Sequence, residues 1–293
     1  MSSPIISLFN SISPSAKSLL LTKSLTNIPF AKETIEIMEG EKSLSHIREE
    51  LTSYQLILRC IHFETRYWSI DEALSAINVN NILEFSSGFS FRGLSKCSNS
   101  EIFYIDTDLP QIIEMKKKII VELSKIYSTL PLNNLRLQEL NVFDKDAFTE
   151  ITNQFPNGPI AIANEGLLMY LKKIQKQTLC SILHQILQQR GGYWITTDVY
   201  VKKDKLSPLS FDIFNKVGRD FLKYHNVEEN KFDSFNSAKE FFAECGFEIY
   251  KKIEVPPNKV SSRKLLSNVP REILEELKSR TKTRETWILQ PCN

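Results

Sequence analysis

Short apolar runs recur along the chain from residue 81 onward. Each closes on small or acidic residues and is followed by a stretch of helical spacing. Ile82, Leu83 and Phe85 form the first run and stop at Ser86-Ser87-Gly88; Ile102 to Ile105 form the second and stop at Asp106-Thr107-Asp108. This alternation predicts strand, turn, short helix, strand and helix between Asn81 and Lys116, the opening βαβ-type unit of an open α/β sheet. Pro110 starts the next helix, to about Tyr127, with Asp108 placed to cap it. Leu135 to Leu140, Pro159 to Ala163 and Tyr193 to Thr197 read as strands three to five. Between them fall a short helix capped by Asp144 and a long amphipathic one from about Lys172 to Arg190, stopped by Gly191-Gly192. Asp198 stands at the tip of strand five.

Before Asn81 the pattern is helical. Ser13-Pro14 opens a helix through about Lys23, Ile28-Pro29 breaks it, a second follows through Met38, and Ser45 to about Ile77 reads as helix with a restart near Ser69-Ile70-Asp71. Residues 1–80 are thus expected to form a helical cap integrated with an α/β core over 81–293. An aromatic-rich helical stretch, with Phe211, Phe214, Phe221 and Tyr224, predicts an insertion near 205–236 that offers a second wall for a pocket. Ser237 is placed to cap a helix ending at Cys245-Gly246. Phe247 to Val255 and Thr283 to Leu289 then suit an antiparallel closing pair, with a short helix near Pro270 to Lys278 between them.

Composition narrows the classes. Among 293 residues the net charge is +2, which offers no broad basic field, so nucleic acid is not an expected partner. Five cysteines, an odd number without a CxxC pair, fit a reduced, cytoplasmic compartment. The four histidines show no metal-ligand spacing with them, and no metal is expected. The amino terminus lacks a positive n-region, and no apolar run approaches the roughly 20 residues of a membrane span. Carboxylates at the carboxyl end of a second parallel strand sit where a nucleotide ribose offers its hydroxyls. A nucleoside-type cofactor at a topological switch point is the expectation.

Three segments carry a resemblance. ILEFSSGFSFRGL, IDTDLPQIIEMK and ANEGLLMYL resemble motifs of the leucine carboxyl methyltransferase family, especially its bacterial branch with tetracenomycin-type polyketide O-methyltransferases. ETRYWSIDEAL, SPSAKSLLL and IPFA are weaker echoes, and the likeness covers most of the chain to about Asp198. It implies the class I methyltransferase variant of the doubly wound fold: seven strands, mostly parallel, with the last two closing as an antiparallel pair. It implies S-adenosylmethionine as cofactor and a small-molecule acceptor. By the same resemblance Arg66 holds the methionine carboxylate. Glu84, Ser86 and Gly88 belong to the first motif, Ser86 and Gly88 presenting backbone to the methionine moiety. Asp108 binds the ribose, Asn141 and Val142 edge the adenine, and Glu165 lies near the amino end of the cofactor. The chain departs from the family in having one glycine in the first motif, Ser90 where an aspartate is common, and Asn141 for the usual aspartate. An N-terminal lysine used by eukaryotic members finds no clear counterpart.

The implied reaction is in-line attack by an oxygen on the sulfonium methyl. A carboxylate acceptor is ionised near pH 7 and needs no general base; a hydroxyl acceptor needs one, with Tyr170, His62 and Glu165 as candidates. Two alternatives stand beside this reading: a methyltransferase-like binding protein without chemistry, and a Rossmann-type oxidoreductase, against which the missing GxGxxG counts.

Overall fold

A computed structural model describes residues 14–39, 54–202, 220, 222–279 and 281–292. Seven strands form one sheet in the order β3-β2-β1-β4-β5-β7-β6. They are β1 (Asn81–Phe85), β2 (Phe103–Asp108), β3 (Leu135–Glu139), β4 (Ile160–Asn164), β5 (Gly192–Tyr200), β6 (Phe247–Ile253) and β7 (Arg284–Pro291). The first five pair in parallel, and β7 runs antiparallel to both β5 and β6. This is the expected doubly wound, mostly parallel sheet with an antiparallel closing pair.

The α-helices with described bounds are α1 (Pro14–Ser24), α2 (Ala31–Glu39), α3 (Tyr54–Ser75), α4 (Arg92–Lys96), α5 (Pro110–Ile126), α6 (Lys145–Thr152), α7 (Lys173–Arg190), α8 (Val227–Asn230), α9 (Phe235–Glu244) and α10 (Arg271–Ser279). The alternation along each strand sorts the core into two layers. Ile82, Tyr104, Ala161, Ala163, Ile195 and Ile288 share a cluster with residues of α1, α2, α3 and α5. Leu83, Phe85, Ile162, Trp194 and Trp287 share the other with α6, α7 and α9. β1 and β4 are buried along their full length, as strands covered on both faces must be.

Local chemistry moves several boundaries. α3 is continuous through Ser69-Ile70-Asp71. Ser69 causes no restart because its hydroxyl donates to the carbonyl of Arg66 and meets the Thr286 hydroxyl, satisfying it inside the helix. Ser234, and not Ser237, is the N-cap of α9; Ser237 stands three residues on and returns the bond in a reciprocal box. Asp144 caps α6 through the amide of Ala147 as expected. Phe211, Phe214 and Phe221 lie outside the described residues, and Tyr224 is exposed.

Candidate cofactor crevice

β1 and β4 are neighbours whose onward connections leave to opposite sides, one to β2 and the other to β5. Their carboxyl ends therefore flank the crevice at the point where strand order reverses. The turn after β1 takes the left-handed conformation at Ser86 (φ 52°) and Gly88 (φ 54°). A Cβ built on Gly88 would meet nothing within 4 Å, so the space above this backbone is open to a ligand.

Asp108 closes one flank. Its Oδ2 accepts from the Gly88 amide at 2.7 Å and its Oδ1 from the Leu109 amide at 2.7 Å. The N-cap of α5 is Leu109, so Asp108 does not cap that helix; it ties the tip of β2 to the turn after β1. Burial pushes its carboxyl above the usual range, with the two amides opposing. Beneath the turn, Lys116 Nζ donates to Asp106 at 2.6 Å and to the Ser87 hydroxyl at 2.9 Å. Leu140 donates to the carbonyl of Asp108, which sets Asn141 and Val142 alongside. Val142 is buried, whereas the exposed Asn141 turns its side-chain carbonyl onto the amide of Phe143 at 3.1 Å.

Glu165 closes the other flank, directly after β4. Its Oε1 meets Lys23 Nζ at 2.7 Å and Arg66 Nε at 3.0 Å, and its Oε2 meets Arg92 at 3.5 Å. Burial alone would raise this carboxyl, but the three cations outweigh burial and bring it to about 2. Glu165 is therefore a fixed anion and no proton acceptor near neutral pH. A Cβ at Gly166 (φ 85°) would come within 3.0 Å of the Arg66 guanidinium, so only glycine lets Arg66 lie over this turn. Asp198 fixes the turn from beneath, accepting from the amides of Gly166, Leu167 and Leu168 at 2.8, 2.6 and 3.1 Å. It lies within β5, not at its tip. The pairing register shifts between Thr196 and Val199, where Asp198 sits.

Glu84 is 0% exposed, inside β1. One oxygen meets Arg92 Nε at 3.4 Å and the other accepts from the Tyr104 hydroxyl at 2.6 Å. Arg92, also 0% exposed, pairs in addition with Asp71 and donates to the carbonyl of Tyr67 at 3.0 Å. Of the other base candidates, burial raises the Tyr170 phenol, and His62 is held well below its usual range by burial, with Arg284 and Arg66 adding to it.

The structure thus brings Arg66 and Glu165 together, and Ser86, Gly88 and Asp108 together. Lys23, Arg92 and Asp198 join them without having been singled out as site residues. Lys23 reaches the crevice from the last turn of α1. The readable signal for Arg92 was Glu84: a carboxylate inside an otherwise apolar strand requires a cation nearby. A cleft of about 880 Å³ opens at the opposite edge of the sheet, among Val79, Pro159, Gly192 and Tyr250. None of the expected site residues lines it. No metal-ligating cluster occurs among the described residues, and no described helix is long and apolar enough to cross a membrane.

No protein-family model matches the chain, and no curated protein matches it. Among solved structures, the chain is similar to the S-adenosylmethionine-dependent methyltransferase SibL at 12% identity, over 99% of this chain and 73% of that one, with a TM-score of 0.47. It is similar to magnesium protoporphyrin IX methyltransferase from Synechocystis PCC 6803 at 8% identity, over 80% and 85%, with a TM-score of 0.44. A third is the mitomycin 7-O-methyltransferase MmcR, at 10% identity, over 94% and 67%, with a TM-score of 0.46. All three are methyltransferases.

Proposed function

We propose that the chain is an S-adenosylmethionine-dependent methyltransferase acting on an oxygen, carboxylate or hydroxyl, of a small or medium-sized molecule. One observation carries this reading: at the switch point, Asp108 is tied to Gly88 on one flank and Arg66 to Glu165 on the other.

The residues fit the cofactor. Asp108 uses two of its roughly four acceptor directions on amides and keeps the others for a ribose diol. Lys23 and Arg66 against the one carboxylate of Glu165 leave a positive charge that an amino-acid carboxylate completes, with Glu165 facing the ammonium. Tyr67, whose ring adjoins both Arg92 and Lys23, has a buried hydroxyl with no hydrogen-bond partner among the described residues, a group left over for the same ligand. Ser86 and Gly88 present backbone, Asn141 and Val142 edge the adenine, and Glu84 serves indirectly as the counterion that holds Arg92.

When bound, the cofactor supplies an electrophilic methyl on a sulfonium. The chain orients it through Arg66, Lys23 and Asp108, and the fixed anion of Glu165 favours the cationic end in a partly dry site. A carboxylate acceptor then needs only positioning and desolvation. A hydroxyl acceptor needs a base for its proton, and the burial and neighbouring cations that disfavour the protonated form of His62 make it a weak one.

The resemblance to the leucine carboxyl methyltransferase family, in its polyketide branch, supports a secondary-metabolite acceptor; the five cysteines without a CxxC pair support a cytoplasmic setting, and the helices before β1 a cap. Transfer of labelled methyl from S-adenosylmethionine to a panel of small carboxylic acids and phenols tests the reading. Binding of the cofactor with no transfer to any of them would favour the binding-protein alternative.

A further inference from the structure

Three guanidiniums stand near the carboxyl edge of the sheet, and their partners differ. Arg66 meets Glu165, and Arg92 meets Asp71, Glu84 and Glu165. Arg284, the first residue of β7, meets only neutral acceptors: its Nη1 donates to the Thr286 hydroxyl at 3.0 Å and to the Thr197 carbonyl at 3.4 Å. Its Nε and Nη2 make no hydrogen bond to the described residues. A half-buried guanidinium that forms no ion pair with any described residue carries a desolvation cost that those residues return only in part. An anion from outside would return it.

The surroundings suit an organic anion. Arg284 lies directly across from Tyr200 in the β5–β7 register, and Arg284, Thr286 and Ile288 alternate onto the face that α3 covers. The Tyr200 hydroxyl is 3.0 Å from His62 Nε2 and 3.5 Å from Arg66 Nη1. Met169 and Val227 pack with Tyr200 as a small apolar cluster, joined by Tyr170 and Leu222. Cations and a phenol thus adjoin an apolar wall, one strand over from the turn that carries Glu165. Burial pulls the Arg284 guanidinium below its ordinary range, Arg66 adding to this while Tyr200 and Asp198 oppose it.

We propose that Arg284 and Tyr200 form an anion subsite that anchors a carboxylate of the methyl acceptor, whose apolar body lies against Met169 and Val227. The acceptor is then an apolar organic acid. The subsite rests on the methyltransferase reading for its role, though not for its chemistry.

The test is calorimetric titration of the full chain with benzoate and, separately, inorganic phosphate, with and without S-adenosylhomocysteine. The proteins compared are wild type, Arg284→Gln and Arg284→Lys. Benzoate should bind wild type, about tenfold or more weaker in Arg284→Gln and partly recovered in Arg284→Lys, while S-adenosylhomocysteine affinity stays within about twofold. Because Arg284 has no ion-pair partner among the described residues, Arg284→Gln should melt at or above the wild-type temperature. A variant melting well below it would make Arg284 structural and overturn the proposal. So would absent benzoate binding, benzoate binding indifferent to Arg284→Gln, or phosphate binding in benzoate's place. Arg284-dependent benzoate binding in a protein that ignores S-adenosylhomocysteine would uphold the subsite and remove the methyltransferase reading, so the two fail separately.

Discussion

Lys23 Nζ lies 2.7 Å from Glu165 Oε1 across 142 residues of chain. The contact fastens α1 to the turn after β4, and it makes the first described helix part of the crevice wall. Burial pulls the Lys23 ammonium below its usual range, with Glu165 opposing and Arg66 and Arg92 adding to the fall. One carboxylate is shared by three cations, so the anion is strongly held, while Lys23 and Arg66 have no other carboxylate partner among the described residues.

That arrangement gives Glu165 a definite pH signature. A carboxyl whose folded pKa lies below its unfolded value contributes stability that is complete above the unfolded value and is lost as pH falls through the folded one. For Glu165 the window runs from 4.5 down to about 2, and the contribution is on the order of 3 kcal/mol. Burial displaces Glu84, Asp106 and Asp108 upward, so their contributions run the opposite way and are removed by taking a difference. Denaturant unfolding of wild type and Glu165→Gln should therefore converge as pH falls from 7 toward 3. Curves that stay parallel would show that the cations do not hold Glu165 ionised.

Asp108→Ala removes the acceptor assigned to the ribose. Affinity for S-adenosylhomocysteine should fall by about 1 to 3 kcal/mol, the usual worth of hydrogen bonds to a charged group. Calorimetry on the folded variant decides it, and unchanged affinity would move the ribose role to another residue.

Asp198→Ala acts on the scaffold. Three backbone amides and the side-chain amide of Asn164 lose their shared acceptor. The expected loss is about 3 kcal/mol or more, since each buried donor left unsatisfied costs roughly 1 to 3 kcal/mol. Cofactor affinity should fall as well, because the turn that Asp198 holds carries Glu165. A variant as stable as wild type in urea would show that the turn does not depend on Asp198.

How much of this was legible beforehand depended on distance along the chain. The strands were readable because alternation and apolar runs are local properties, and the closing pair followed from its separation from the parallel series. Local competition set the misplaced details: Ser69 satisfies its hydroxyl within α3, Ser234 takes the cap assigned to Ser237, and Asp108 spends its oxygens on Gly88 and Leu109. Arg66 and Glu165 were each singled out, yet their contact spans 99 residues and no spacing rule joins them. Lys23 was hidden for the same reason. Arg92 could have been inferred from Glu84, since a carboxylate in an apolar strand needs a counterion.

The central claim is that the crevice between β1 and β4 is a seat for S-adenosylmethionine, and ligand-induced stabilisation measures this most directly. A ligand that binds only the native state raises its apparent stability by RT ln(1 + [L]/Kd). With the full chain, millimolar S-adenosylhomocysteine and S-adenosylmethionine should each raise the melting temperature and give calorimetric heats, both diminished in Asp108→Ala. NAD and NADP should do neither. No shift and no heat with either adenosyl compound, or a shift with the dinucleotides instead, would contradict the account.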